Sequence, residues 1–143
     1  MLIAESEGRG TCMIAGKVMM DRHAPPGLVD TADGSYVESK KLLEKWHKRG
    51  RQRYAVTPRF AITSTQPQLE AAGRLLKEFP DVYMQTHLSE NLDEIRSVLE
   101  LFPDAKNYTD VYDQVKEFFC GYISPTCYLK NGLEHFVAIR KIG

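Results

Sequence analysis

A chain of 143 residues is the size of a single domain, and its 19 basic residues are balanced by 19 acidic ones. Zero net charge argues against a general affinity for nucleic acid or for an anionic membrane surface. No apolar run approaches the roughly 18 residues a spanning helix needs, and the acidic opening MLIAESEGRG has no apolar stretch of a secretory signal.

The order of elements is readable. MLIAESEGRG has the pattern of a helix tail ended by Gly8 or Gly10. Cys12 to Met20 is a short apolar run with β-branched members, expected as a buried strand, and DRHAPPGLVD after it is a loop. Ser35 to Gly50 has helical periodicity through Val37, Leu42, Leu43 and Trp46, with Ser35 and Glu38 as a capping box and Gly50 as the stop. RYAVTPRF (Arg53 to Phe60) begins as a strand whose ladder ends at Pro58. A helix is expected from Thr65, with Gln68 as capping partner and Pro67 in its first turn, to about Phe79. DVYMQTHL is the third strand. Asn91 then caps a helix whose buried face is Leu92, Ile95, Val98 and Leu99.

Three strands thus alternate with three helices at a repeat of about 35 residues, which is the pattern of parallel βαβ units in an α/β fold. Parallel strands open their C-terminal ends on one common face, and chemistry in such folds sits there. The residues just past each strand are therefore the candidates: Asp21, Arg22 and His23; then Arg59 and Phe60; then His87, Leu88, Ser89 and Glu90. A histidine at a strand end can bind zinc through a neutral ring nitrogen, and a carboxylate one turn later can carry protons. An isolated His-x-x-Glu also fits a glutamate that simply favours a helix N-terminus, and on pattern alone that second reading is preferred. Arg59 can fork two hydrogen bonds onto a planar heterocycle with Phe60 stacked beside it, or pair with a carboxylate while Phe60 fills the core. Lys17, Asp21, Arg22 and His23 read as a solvated loop with one internal pair, and His47 as a surface residue. Cys12, Cys120 and Cys127 have unpatterned spacing, which suits reduced thiols of the cytoplasm and no zinc ribbon. Nothing in the spacing of His23 or His135 suggests a metal ligand.

GKVMMDRHAP, YAVTPRFAITST, QTHLSEN and LFPDAKNYTDVYD, in that order and spacing, resemble successive blocks of the guanine deaminases of the zinc amidohydrolase superfamily. The resemblance covers about Cys12 to Asp113. It implies a partial (β/α)8 TIM-type barrel of the metal-dependent amidohydrolase family, about three βα units, over residues 1–114. It also implies hydrolytic deamination of guanine to xanthine and ammonia, a step of purine catabolism. By resemblance His87 is a zinc ligand, Glu90 the acid/base, and Arg59 and Phe60 the pair that contacts the purine. Leu88 and Ser89 shape the pocket between them.

The family's early His-x-His zinc pair and its late aspartate have no counterpart here, so the chain supplies one ligand where catalytic zinc takes three or more. From about Val115 the resemblance stops. Residues 115–143 read as a divergent tail, which a frame change in the coding sequence would explain, and the start reads as an internal one. A part-barrel is expected to leave two open edges and to be aggregation-prone, unless it forms a homo-oligomer or joins a complementing barrel fragment. The expected protein is a cytoplasmic guanine deaminase homologue, truncated and inactive alone. The alternatives are a purine-binding or interaction module without catalysis, a subunit completed by a partner chain, or a hydrolase of another aminated heterocycle.

Overall fold

The computed structural model describes residues 2–115 and the backbone of residues 136–141. The expectations for Cys120, Cys127, His135 and most of the tail lie outside the described residues. Elements run α1 (Leu2–Gly8), β1 (Met13–Ala15), β2 (Val18–Met19), α2 (Ala32–Trp46), β3 (Gln52–Pro58), α3 (Gln66–Glu78), β4 (Tyr83–Leu88), α4 (Leu92–Leu101), α5 (Tyr108–Asp113) and β5 (Phe136–Lys141). Short 3-10 turns occupy Pro26–Leu28 and Ala61–Thr63. No helix among the described residues is long and apolar enough to cross a membrane.

The α/β expectation holds: β1 and β2 both run parallel to β3, and β3 runs parallel to β4. β3 is buried along nearly its whole length, as a central parallel strand must be. Tyr54 and Val56 from β3, Leu69, Leu75 and Leu76 from α3, Met84 from β4 and Tyr112 from α5 meet in one core.

The first expected strand is divided in two. Gly16 lies so close to β3 that a Cβ there would stand 1.7 Å from the Ala55 carbonyl oxygen. The chain steps out of the ladder at this point. The Ala55 carbonyl accepts instead from its neighbour Thr57 Oγ1 at 2.9 Å, while the Lys17 N–H donates to Tyr54 Oη at 3.1 Å. β1 and β2 are consequently a short, interrupted edge, a form that discourages pairing with other chains.

The opposite edge differs from the expectation of two open edges. β5 pairs antiparallel with all of β4, from Tyr83 opposite Lys141 to Leu88 opposite Phe136. A strand of the chain's own tail thus covers the β4 edge.

Helix ends follow local chemistry, with two corrections. Thr65 caps α3 and Asn91 caps α4, both as expected, their side chains accepting from the N–H groups of Gln68 and Glu94. Helix α2 starts earlier than expected. Thr31 is its cap, accepting the Gly34 N–H at 3.0 Å, and Ser35 lies inside the helix, fully buried. The reason is long-range: Ser35 Oγ donates to Asp30 Oδ2 at 3.1 Å and accepts from Gln68 Nε2 of α3 at 3.0 Å. Small buried Ser35 and Ser39 let α2 approach its neighbours. Val37, two residues or about 200° around from Ser35, is turned to solvent. Helix α2 ends at Trp46 with Lys48 in the left-handed region, so Gly50 belongs to the turn into β3 and is not the stop.

His47 is also not a surface residue. Its side chain is 7% exposed. Its Nδ1 accepts the Tyr54 N–H at 3.1 Å, which leaves the proton on Nε2, facing Asp81.

Candidate functional site

The C-terminal ends of β3 and β4 open side by side. Arg59, Phe60, His87 and Glu90 line one pocket there of ≈ 150 Å³. That is the scale of a cavity that takes a small aromatic molecule. Four of the residues singled out from the sequence therefore converge. Leu88 and Ser89 are not among the lining side chains: Leu88 is 3% exposed within the core, and Ser89 supplies a bend with φ 55°. A serine in the left-handed region is uncommon, and here it turns the chain between His87 and Glu90.

One carbonyl organises the site. The Arg59 C=O accepts the His87 backbone N–H at 2.8 Å, lies 3.0 Å from His87 Nδ1 and accepts from Thr86 Oγ1 at 3.2 Å. A carbonyl can only accept, so Nδ1 carries a proton, and in the neutral ring Nε2 is then the nitrogen with a lone pair for a ligand. A ring fixed through one nitrogen in this way can offer the other to a metal ion.

The Arg59 side chain is exposed, 5.2 Å from the Phe60 ring and with Nη1 3.7 Å from Met20 Sδ. Among the described residues no carboxylate pairs with it. Its forked donors are directed by an aromatic ring and a thioether, which leaves them for a planar acceptor.

The loop after β2 is largely exposed, as expected, but Asp21 and Arg22 are tied to the elements behind it. Arg22 donates to the carbonyls of Ala61 and Ile62 at 2.8 and 3.0 Å and lies 4.9 Å over the Phe102 ring. Burial lowers its pKa and neighbouring Asp21 partly restores it, so the guanidinium stays charged. Asp21 accepts the Thr65 N–H at 2.8 Å and the Thr65 hydroxyl, at the cap of α3. His23 is exposed with φ 47°. These bonds cannot be read from the sequence, because their partners lie about 40 residues away.

A polar wall behind the pocket was also missed. Tyr112 is fully buried with Oη 3.2 Å from Thr86 Oγ1 and 3.5 Å from the His87 carbonyl. Burial raises its pKa to about 12. Tyr108 stacks on it at 6.0 Å, and burial together with the nearby Tyr112 and Glu94 raises the Tyr108 pKa as well. The i, i+4 spacing of these tyrosines in YTDVY was the available signal. Glu94, in the first turn of α4, is 5% exposed, and its Oε2 accepts the Glu90 N–H at 3.0 Å.

The described residues do not by themselves make a zinc site. His87 offers one suitable nitrogen, but no three His, Cys, Asp or Glu side chains gather to hold an ion among them. A catalytic zinc takes about three protein ligands.

No family model matches the chain. It is 59% identical over 102 residues to the guanine deaminase of Escherichia coli (strain K12), covering 71% of this chain and 23% of that protein. The structure of E. coli guanine deaminase superposes with a TM-score of 0.78 at 54% identity, covering 80% of this chain and 26% of that one. Guanine deaminase from C. acetobutylicum, solved with guanine bound in its active site, gives a TM-score of 0.74 at 29% identity, covering 80% and 27%. The chain spans about a quarter of the length of the curated relatives it matches. By sequence and by fold, the chain is a homologue of the guanine deaminases, corresponding to a segment of about a quarter of their length.

Proposed function

We propose that this chain carries the guanine-recognising and proton-transferring part of a guanine deaminase, as a partial (β/α)8 amidohydrolase barrel over residues 1–114. The observation that carries the proposal is the convergence of Arg59, Phe60, His87 and Glu90 on one pocket at the ends of two parallel strands. The purine plane stacks on Phe60, and Arg59 forks onto its carbonyl and ring nitrogen. Hydrolytic deamination to xanthine moves a proton from the attacking water to the departing ammonia, and Glu90 is the carboxylate that relays it. His87, with Nδ1 bonded to the Arg59 carbonyl, would hold a zinc ion through Nε2, and that ion would supply the activation of water that the full reaction uses.

The described residues supply one zinc ligand, so on this reading the chain binds guanine by itself and turns it over when a second copy or a complementing barrel fragment completes the site. The proposed role is a cytoplasmic one in purine catabolism.

Guanine titrated into the purified chain by calorimetry tests this reading. Binding is expected, and Arg59→Ala should weaken it by about 10- to 100-fold, the worth of a charge-assisted hydrogen-bond pair. Equal binding by the Arg59→Ala chain would refute it. Xanthine formation with added zinc, with and without the remainder of a barrel, separates binding from turnover.

A further inference from the structure

Glu94 looks at first like an ordinary helix-capping partner. Its N–H is bonded by Asn91 Oδ1 at 2.8 Å, the usual first half of a capping box. The second half is unusual. The carboxylate reaches past the cap residue and accepts the N–H of Glu90, the residue that lines the pocket. It does so while 5% exposed, with its other oxygen buried beside the Tyr108 hydroxyl. The residue before Glu90 is Ser89, in the left-handed region that a serine seldom takes unless its surroundings enforce it. Tyr108 and Tyr112 back the same wall, and Tyr112 Oη touches the Thr86 hydroxyl and the His87 carbonyl.

We propose that Glu94 is a positioning residue for the purine pocket: by holding the Glu90 amide it fixes the Ser89 bend and so directs the Glu90 carboxylate across from Arg59 and His87. The inference rests on the guanine reading above for its functional half and on the main-chain geometry for its structural half.

Two near-isosteric variants separate this role from simple capping. Glu94→Asp keeps an acidic group in the first turn of α4 but is one methylene too short to reach the Glu90 amide. Glu94→Gln loses the charge but keeps an oxygen that accepts that amide. Amide NMR spectra of the folded chain are recorded for each variant, and guanine affinity is measured by calorimetry.

Glu94→Asp should move the Ser89 and Glu90 amide resonances, leave those of β3 and α3 in place, and weaken guanine binding by about tenfold, the scale of a lost supporting contact. Glu94→Gln should keep the affinity within about twofold of the parent, since the supporting contact is preserved. A helix-capping role alone predicts the reverse order, because charge at the helix N-terminus would then matter more than reach. Unmoved Ser89 and Glu90 amides in Glu94→Asp would overturn the inference, as would moved amides with unchanged guanine affinity. A parent chain that binds no guanine refutes the guanine reading and the functional half of this inference with it. The amide displacement then decides the structural half by itself.

Discussion

Gly16→Ala should unfold or nearly unfold the edge of the sheet. The added Cβ would sit 1.7 Å from the Ala55 oxygen, 2.9 Å from the Ala55 carbonyl carbon and 3.0 Å from Thr57 Oγ1. The first two are backbone atoms of the central strand, so no side chain can swing aside. Relief needs β1–β2 and β3 to part by more than about 1 Å, well beyond what a packed interior absorbs cheaply. Gly16 is flanked by the pairs Ala15 with Tyr54 and Val18 with Thr57, and by the Lys17 to Tyr54 hydrogen bond, all of which that separation strains. Overpacking costs roughly 1–3 kcal/mol, and each lost hydrogen bond about 1 kcal/mol more. A total of about 3–5 kcal/mol is a large part of the 5–15 kcal/mol typical of a domain. Urea unfolding followed by circular dichroism measures it. Gly8→Ala is the control, since nothing lies within 4 Å of its Cβ position and it sits at the end of α1. That change should be neutral or slightly stabilising. If Gly16→Ala unfolds at the same urea concentration as Gly8→Ala, the close approach at Gly16 is not a feature of the folded chain.

Alkaline pH gives a second test. Burial holds Tyr112 protonated up to about 12 in the folded chain, whereas the unfolded chain releases that proton near the ordinary tyrosine value of about 10. The stabilisation is therefore fully present below about pH 10 and is lost at about 1.4 kcal/mol per pH unit as pH rises towards 12. Urea midpoints from pH 8 to 11 should fall more shallowly for Tyr112→Phe than for the parent, and equal slopes would count against the burial argument. Ending the chain after Val115 would remove β5 and leave the β4 edge unpaired, so light scattering should show more self-association than the full chain gives. A monodisperse monomer from the shortened chain would deny β5 that protective role. Because the Arg59 main chain, not its side chain, holds His87, the 15N spectrum of Arg59→Ala should still show His87 as the Nδ1–H tautomer. A switch to the Nε2–H form would disprove the carbonyl latch.

Local signals in the sequence proved the easiest to read. Thr65 and Asn91 were identifiable as helix caps because a cap acts on an N–H three residues away. The pocket residues were identifiable because a parallel strand delivers whatever follows it to one face. What was hidden depends on distant partners. Gly16 interrupts its strand because of a carbonyl at Ala55. Ser35 is a buried contact and no cap, because Asp30 and Gln68 claim its hydroxyl. Leu92 is 65% exposed although it was expected on the buried face of α4. With Glu94 turned inward to reach the Glu90 amide, a residue two positions earlier lies about 200° away, on the solvent side. The antiparallel β5 could not be foreseen from a tail that matches no expected continuation.

The pocket depends on both strands together because its parts are not independent. Arg59 contributes its guanidinium to the open side of the pocket and its carbonyl to the closed side, where His87 is held twice and Thr86 once. Thr86 in turn meets Tyr112, and the Tyr112 wall runs on through Tyr108 towards Glu94 and the Glu90 amide. The Arg59 guanidinium, the His87 ring and Glu90, to which the roles of recognition, ligation and proton transfer are proposed above, are thus referred to one frame made by β3, β4, α4 and α5. A frame of this kind keeps its internal geometry as long as those four elements stay packed. On the proposed reading, guanine binding needs only that frame, whereas turnover also needs metal ligands that the frame does not supply.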